Sequence, residues 1–173
     1  MLASRRAGAL TIVVAGLSSM LSCVSPEPIT HGGAMRPYCA NILEIARSND
    51  AYRRVLHTGP RTQTVVMSIP AGGDVGEESH TRVEQTLLGI EGSGTAVING
   101  VELPFTPGTL FVVPPGSVHN FINTGDTPLK IYTTYAPPNH LPGRVQLTQA
   151  DAEADEEDNA FGRAVEEGRV PEP

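Results

Sequence analysis

From residue 53 onward the chain alternates apolar and polar positions in short runs, each stopped by Gly, Pro, Asn or Asp. Such runs read as β-strands bounded by turns. Strands are predicted over 55–58 and 63–69, separated by Gly59-Pro60, and over 86–91, 94–98, 101–105, 109–113, 119–123 and 129–135. The clearest alternation is in the last of these, where Leu129, Ile131, Thr133 and Tyr135 share one face and Lys130 lies on the other. Asn99-Gly100 joins two runs as a two-residue hairpin turn, because both positions tolerate positive φ. Pro114-Pro115-Gly116 stops one strand, and Gly125-Asp126 joins the final pair. About eight short strands at near-regular spacing predict an all-β fold, a small antiparallel β-barrel or double-stranded jelly roll. Ahead of them, 41–49 fits either a short helix or a strand with a turn.

Outside this region the pattern changes. Residues 1–22 have a signal-peptide form, with Arg5 and Arg6 ahead of a short apolar stretch over 7–17. Ser19-Met20-Leu21-Ser22-Cys23 resembles a bacterial lipoprotein cleavage box, with Met20 where Leu is usual. Export to the periplasm or a lipid anchor on Cys23 at the cell envelope is the expectation. A weaker reading of Ser4-Arg5-Arg6 is a twin-arginine signal. Residues 23–40, with Pro26, Pro28, Gly32 and Gly33, read as a linker, and His31 in it as a solvated side chain. The barrel occupies 41–147. Residues 148–173 form an acidic C-terminal tail, expected as a frayed helix or disordered segment whose charges face water.

Composition adds little beyond this. The 173 residues hold 18 Gly, 15 Pro and no Trp, which suits strands and turns better than a helical bundle. The formal charge of −7 sits largely in the tail, and no Lys/Arg stripe exists, so nucleic acid is excluded as a partner. Two cysteines make no disulfide framework: Cys39 is a lone thiol if Cys23 is lipidated, and the two can bridge if it is not.

The candidate chemistry lies in two segments. Glu78 and His80 are two apart, so on an extended strand they point the same way. A carboxylate and an imidazole side by side in a barrel are costly unless paired or metal-bound. His119 follows the Pro-Pro-Gly turn, which returns it toward the same mouth. Carboxylate, imidazole and amide oxygen together suit a divalent transition metal, Fe, Mn, Ni or Zn. His57, beside a Thr-Gly-Pro turn, reads as exposed or capping. His140 reads as a loop-packing residue, and Phe111, Phe121, Tyr132 and Tyr135 as core or pocket wall.

Gly108, Pro114, Gly116, His119 and Asn123 fill every defined position of G-x5-P-x-G-x2-H-x3-N, the second motif of the cupin superfamily, which the chain therefore resembles. The first cupin motif, G-x5-H-x-H-x3,4-E-x6-G, is present in altered form. Glu78 replaces the first His, His80 stands at the second, and counting back from Gly92 places Gln85 where the Glu is usual. Glu84 fits the shorter spacing from His80 but not the spacing to Gly92, and on a regular strand it points away from Gln85's face. The resemblance runs over about 41–144 and is closest to small single-domain bacterial cupins, some described as sugar-phosphate isomerase-like. It implies a mononuclear metal held by Glu78, His80, Gln85 and His119, with a small-molecule ligand and often a homodimer. Glu78 is the best candidate base if it leaves the metal. The reaction stays open among isomerase, dioxygenase and lyase chemistries, with a non-catalytic sugar- or metal-binding module of the envelope as the alternative and a purely structural role behind both.

Overall fold

A computed structural model describes residues 37–169 of the protein. The segment expected to be a signal peptide, Cys23 and His31 lie outside the described residues. Cys39 is not a free thiol.

The segment at 41–49 resolves as a helix, α1 (Ile42–Ser48), capped by the Asn41 side chain, which accepts from the Glu44 N–H. Nine strands follow: β1 (Arg53–Thr58), β2 (Gln63–Ile69), β3 (Glu84–Glu91), β4 (Gly94–Ile98), β5 (Val101–Phe105), β6 (Leu110–Val113), β7 (His119–Asn123), β8 (Leu129–Ala136) and β9 (Val145–Gln146). They form an antiparallel six-stranded sheet in the order β6-β3-β8-β2-β1-β9 and an antiparallel three-stranded sheet, β5-β4-β7. The expected all-β jelly roll is thus present as two separate sheets rather than one closed cylinder.

Two-sided burial explains the strand sequences. The inner face of the large sheet carries Val65, Met67, Ile69, Leu87, Leu129 and Ile131, and the small sheet meets it with Ala96, Phe105 and Phe121. Phe105, Phe111 and Phe121 meet edge to face, with ring centroids 5.1–5.9 Å apart. Each such buried ring contributes on the order of 2–3 kcal/mol. The outer face buries a second cluster beneath α1, in which Ala46, Val66 and Ile90 pack with Leu88 and Tyr132. Lys130, also on that face, donates from Nζ to the Asn49 carbonyl and Asp50. The β4–β5 hairpin has the expected turn, with Asn99 at φ 50° and Gly100 at φ 80°.

The acidic C-terminal segment differs from the solvated tail expected of it. It folds as α2 (Gln149–Glu153) and α3 (Glu156–Glu166). Thr148 and Asp151 form a capping box on α2, and Asp155 caps α3. Ala152 and Val165 reach the main core, with Phe161 packed against it. Most acidic side chains here do face water, but Asp158 is buried, accepting from the Leu141 N–H and from Nδ1–H of His140. Apolar residues too sparse to mark a helix from composition suffice once they have a sheet edge to cover.

Candidate metal centre

The site begins with backbone pairing. Residues 74–78 run beside β7 as isolated antiparallel bridges, with Glu78 directly opposite His119. The two exchange both backbone hydrogen bonds, at 3.0 and 2.9 Å. Residues so paired project to the same face. His80, two residues on, projects with them, and its carbonyl accepts from the Gly116 N–H at 2.6 Å. The Pro-Pro-Gly turn is thereby clasped to the loop that carries Glu78 and His80. Gly116 sits at φ 82°, a conformation glycine adopts without strain. Gln85 arrives from the facing sheet at the start of β3. It is buried while Glu84 is exposed, so strand parity selects Gln85.

Four lone-pair-bearing atoms converge. Glu78 Oε1 lies 3.4 Å from His80 Nε2 and 3.3 Å from His119 Nε2, and Gln85 Oε1 lies 3.0 Å from His119 Nε2. One atom each from Glu78, His80 and His119 falls within 4.8 Å of the others. Three of the four side chains meet a neighbour at their far end. His119 Nδ1 donates to the Ser117 carbonyl at 2.9 Å, Gln85 Nε2 donates to Thr133 Oγ1 at 3.3 Å, and His80 Nδ1 faces Glu166 Oε1 at 3.4 Å. His119 Nε2 lies within hydrogen-bond distance of Gln85 Oε1, an atom that only accepts, so either Nε2 carries a proton there or a cation takes that proton's place. Glu78 Oε1 and His80 Nε2 make no hydrogen bond although both are buried. An unsatisfied buried polar atom costs about 1–3 kcal/mol, and a shared cation removes that cost. The spacing fits one as well. Ligands about 2.1 Å from an ion lie about 3.0 Å apart at right angles and about 3.4 Å apart at tetrahedral angles.

The electrostatics agree. Burial works against ionisation of Glu78, but the facing His119 and His80 and the charge of Arg53 outweigh it and hold the carboxyl well below the usual carboxylate range. Burial alone would lower the pKa of His119; the Glu78 carboxylate and the Ser117 carbonyl raise it above its ordinary value. Burial pushes the Tyr135 phenol far up, so it stays protonated. Its ring packs edge-on to His80, with centroids 6.2 Å apart.

The structure brings Glu78, His80, Gln85 and His119 together at one end of the space between the sheets. The other two histidines among the described residues stand apart. His57 is stacked on Tyr38 with ring centroids 4.9 Å apart, and His140 is held by Asp158 at 2.8 Å. Three neighbouring residues carry no signal in the sequence. Glu166 reaches the site from α3. Asp158 anchors the same helix. Arg53, with a side chain only 11% exposed, donates to Gln146 and leaves its Nε without a partner. Apolar spacing marks where Arg53 falls on β1, since Val55 on the same face is core, but the two helix carboxylates are indistinguishable from their acidic neighbours until α3 docks.

Comparison with known proteins gives a consistent picture. The family model for the cupin domain matches residues 65–135. The uncharacterized protein YrkC of Bacillus subtilis is 39% identical over 128 residues, covering 70% of this chain and 69% of its own. Protein L612 of Acanthamoeba polyphaga mimivirus is 33% identical over 114 residues, covering 64% of this chain and 71% of its own. Among solved structures, BH2720 from Bacillus halodurans superposes with a TM-score of 0.68 at 37% identity, covering 73% of this chain and 99% of that one.

Proposed function

This chain belongs to the cupin family, and on that footing we propose that it binds one divalent transition metal through Glu78, His80, Gln85 and His119 and acts there on a small molecule. The observation that carries the reading is the convergence of Glu78, His80, Gln85 and His119 around one point, with Glu78 Oε1 and His80 Nε2 buried there without a hydrogen-bond partner. Two imidazoles, one carboxylate and one amide oxygen favour Fe, Mn, Ni or Zn over Mg or Ca, which prefer all-oxygen shells. A bound ion would supply Lewis acidity toward a carbonyl or enol oxygen of the substrate. The chain's own residues would orient that substrate. Tyr135 stays protonated and so remains available as a donor, and Arg53 supplies a fixed positive charge on the inner face of the large sheet.

The test is metal analysis of the purified full chain after gentle isolation and metal addition, repeated on His80→Ala and His119→Ala. One equivalent of a transition metal in the wild type and far less in both variants is expected. A wild type with no stoichiometric metal would sink the reading. Turnover of enediols or keto-sugars by the loaded protein separates an enzyme from a binding module. We also propose export: fractionation of expressing cells should place the full chain in the cell envelope, and a purely cytoplasmic protein would refute it.

A further inference from the structure

We propose that Glu166, in the last turn of α3, is a positioning residue for His80, so that the acidic C-terminal segment acts as a latch deciding which imidazole nitrogen faces the metal centre. The inference rests on the metal reading above and assigns a role to a residue outside both cupin motifs.

Glu166 divides its two oxygens. Oε2 accepts from the Thr81 N–H at 2.7 Å, from Thr81 Oγ1 at 2.7 Å and from the Arg82 N–H at 3.2 Å. Oε1 is buried, makes no hydrogen bond and faces His80 Nδ1 at 3.4 Å. The same helix end touches the loop a second time, where Gly168 packs so closely on the Arg82 guanidinium that an added Cβ would lie 3.1 Å from Cζ. From the other side α3 is fixed by the buried Val165 and by Asp158. Glu166 therefore meets His80 from a docked helix, across 86 positions of sequence (80 to 166).

The chemistry follows from donor and acceptor counts. A carboxylate only accepts, and the His80 ring stands between two of them, Glu166 Oε1 at 3.4 Å from Nδ1 and Glu78 Oε1 at 3.4 Å from Nε2; because Glu166 is the one pinned by Thr81 and Arg82, the proton sits on Nδ1, which leaves the lone pair on Nε2, the atom facing Glu78. An outer carboxylate of this kind fixes the tautomer of a metal-bound histidine. In Glu166→Gln the single amide oxygen is claimed by the donors of Thr81 and Arg82. The amide NH2 then falls beside Nδ1, Nδ1 must accept, and the His80 proton moves to Nε2, where it blocks the metal. Glu166→Ala removes the loop contacts but leaves Nδ1 to water and the tautomer unforced.

The two variants thus order oppositely for stability and for affinity. The experiment uses the full chain, with Zn2+ and Mn2+ titrated in competition with a chromophoric chelator. The metal-free proteins are compared by thermal melting and by long-range 15N–1H NMR of the His80 ring. The expected wild type holds the Nδ1–H tautomer. Glu166→Gln should melt close to wild type, switch to Nε2–H and bind both metals at least tenfold more weakly. Glu166→Ala should melt lowest yet lose less affinity than Gln. Retention of Nδ1–H in Glu166→Gln, binding within twofold of wild type, or affinity losses that simply follow melting temperature would overturn the proposal. If the wild type binds no metal, the metal reading fails by itself, and the tautomer comparison still decides what Glu166 does.

Discussion

An imidazole has one lone pair to give, and its direction is set by whatever holds the opposite nitrogen. At His119 that holder is the Ser117 carbonyl, and at His80 it is Glu166. Gln85 is the weakest of the four proposed ligands because an amide oxygen carries no charge. It still has a local task, donating to Thr133, which is fully buried. Gln85→Leu should therefore weaken metal binding by on the order of tenfold, about 1.4 kcal/mol, while His119→Ala abolishes it. Calorimetric titration checks this, and equal losses from the two substitutions would show that Gln85 contributes as a full ligand. The spacing to Gly92 favoured Gln85 over its neighbour Glu84 without deciding between them, and Gln85 is the buried one of the two while Glu84 is exposed. The role of Glu166 was not readable in advance, since nothing in a run of Glu and Asp distinguishes one carboxylate from the next.

At the level of elements, turn chemistry made the strands readable. Asn99-Gly100 fixed the β4–β5 hairpin to the residue, and Pro114-Pro115-Gly116 ended β6. The two-residue β9 carries too short a pattern to register, and α3 has a core contact only where Val165, Phe161 and the buried Asp158 find the sheet. That docking carries a pH signature. Burial and the nearby Arg53 charge lower His140 below its ordinary 6.5 despite Asp158, whereas for Asp158 the hydrogen bond from His140 and its other partners outweigh burial and lower it below 3.8. Both groups therefore take up protons more readily in the unfolded chain. Their joint contribution to stability is complete above pH 6.5, falls from there toward His140's folded value, and falls again below pH 3.8. His119, raised when folded, works oppositely and loses its contribution as pH rises. The comparison that isolates the latch is wild type against His140→Gln in denaturant melts between pH 8 and 5. The variant should lack the acid loss that wild type shows, and an unchanged slope would assign that loss elsewhere. Asp158→Ala should cost about 3–5 kcal/mol, because it strands buried donors around it.

Across the whole molecule, the proposed centre draws on four parts of the chain. His119 belongs to the small sheet, Gln85 to the large one, Glu78 and His80 to the loop between β2 and β3, and Glu166 closes over them from α3. A ligand that binds only this assembled arrangement stabilises it by mass action. Metal at 100 times its dissociation constant should add about 2.7 kcal/mol, seen as a higher melting temperature that a chelator reverses. A melting temperature indifferent to metal would mean that the centre is not the point where the sheets are tied.

The sequence by itself determined what is local: strand alternation and the hairpin and Pro-Pro-Gly turns, which depend on side-chain period and backbone sterics within a few residues. Glu78, His80, Gln85 and His119 were singled out by the resemblance to the two cupin motifs. Only the tertiary structure decided which atoms of those residues face one another, that two sheets stand apart instead of closing, and that an acidic segment far down the chain supplies the carboxylate behind His80. Those outcomes depend on contacts between positions distant in sequence, and charge on a surface helix has no address until the helix has packed.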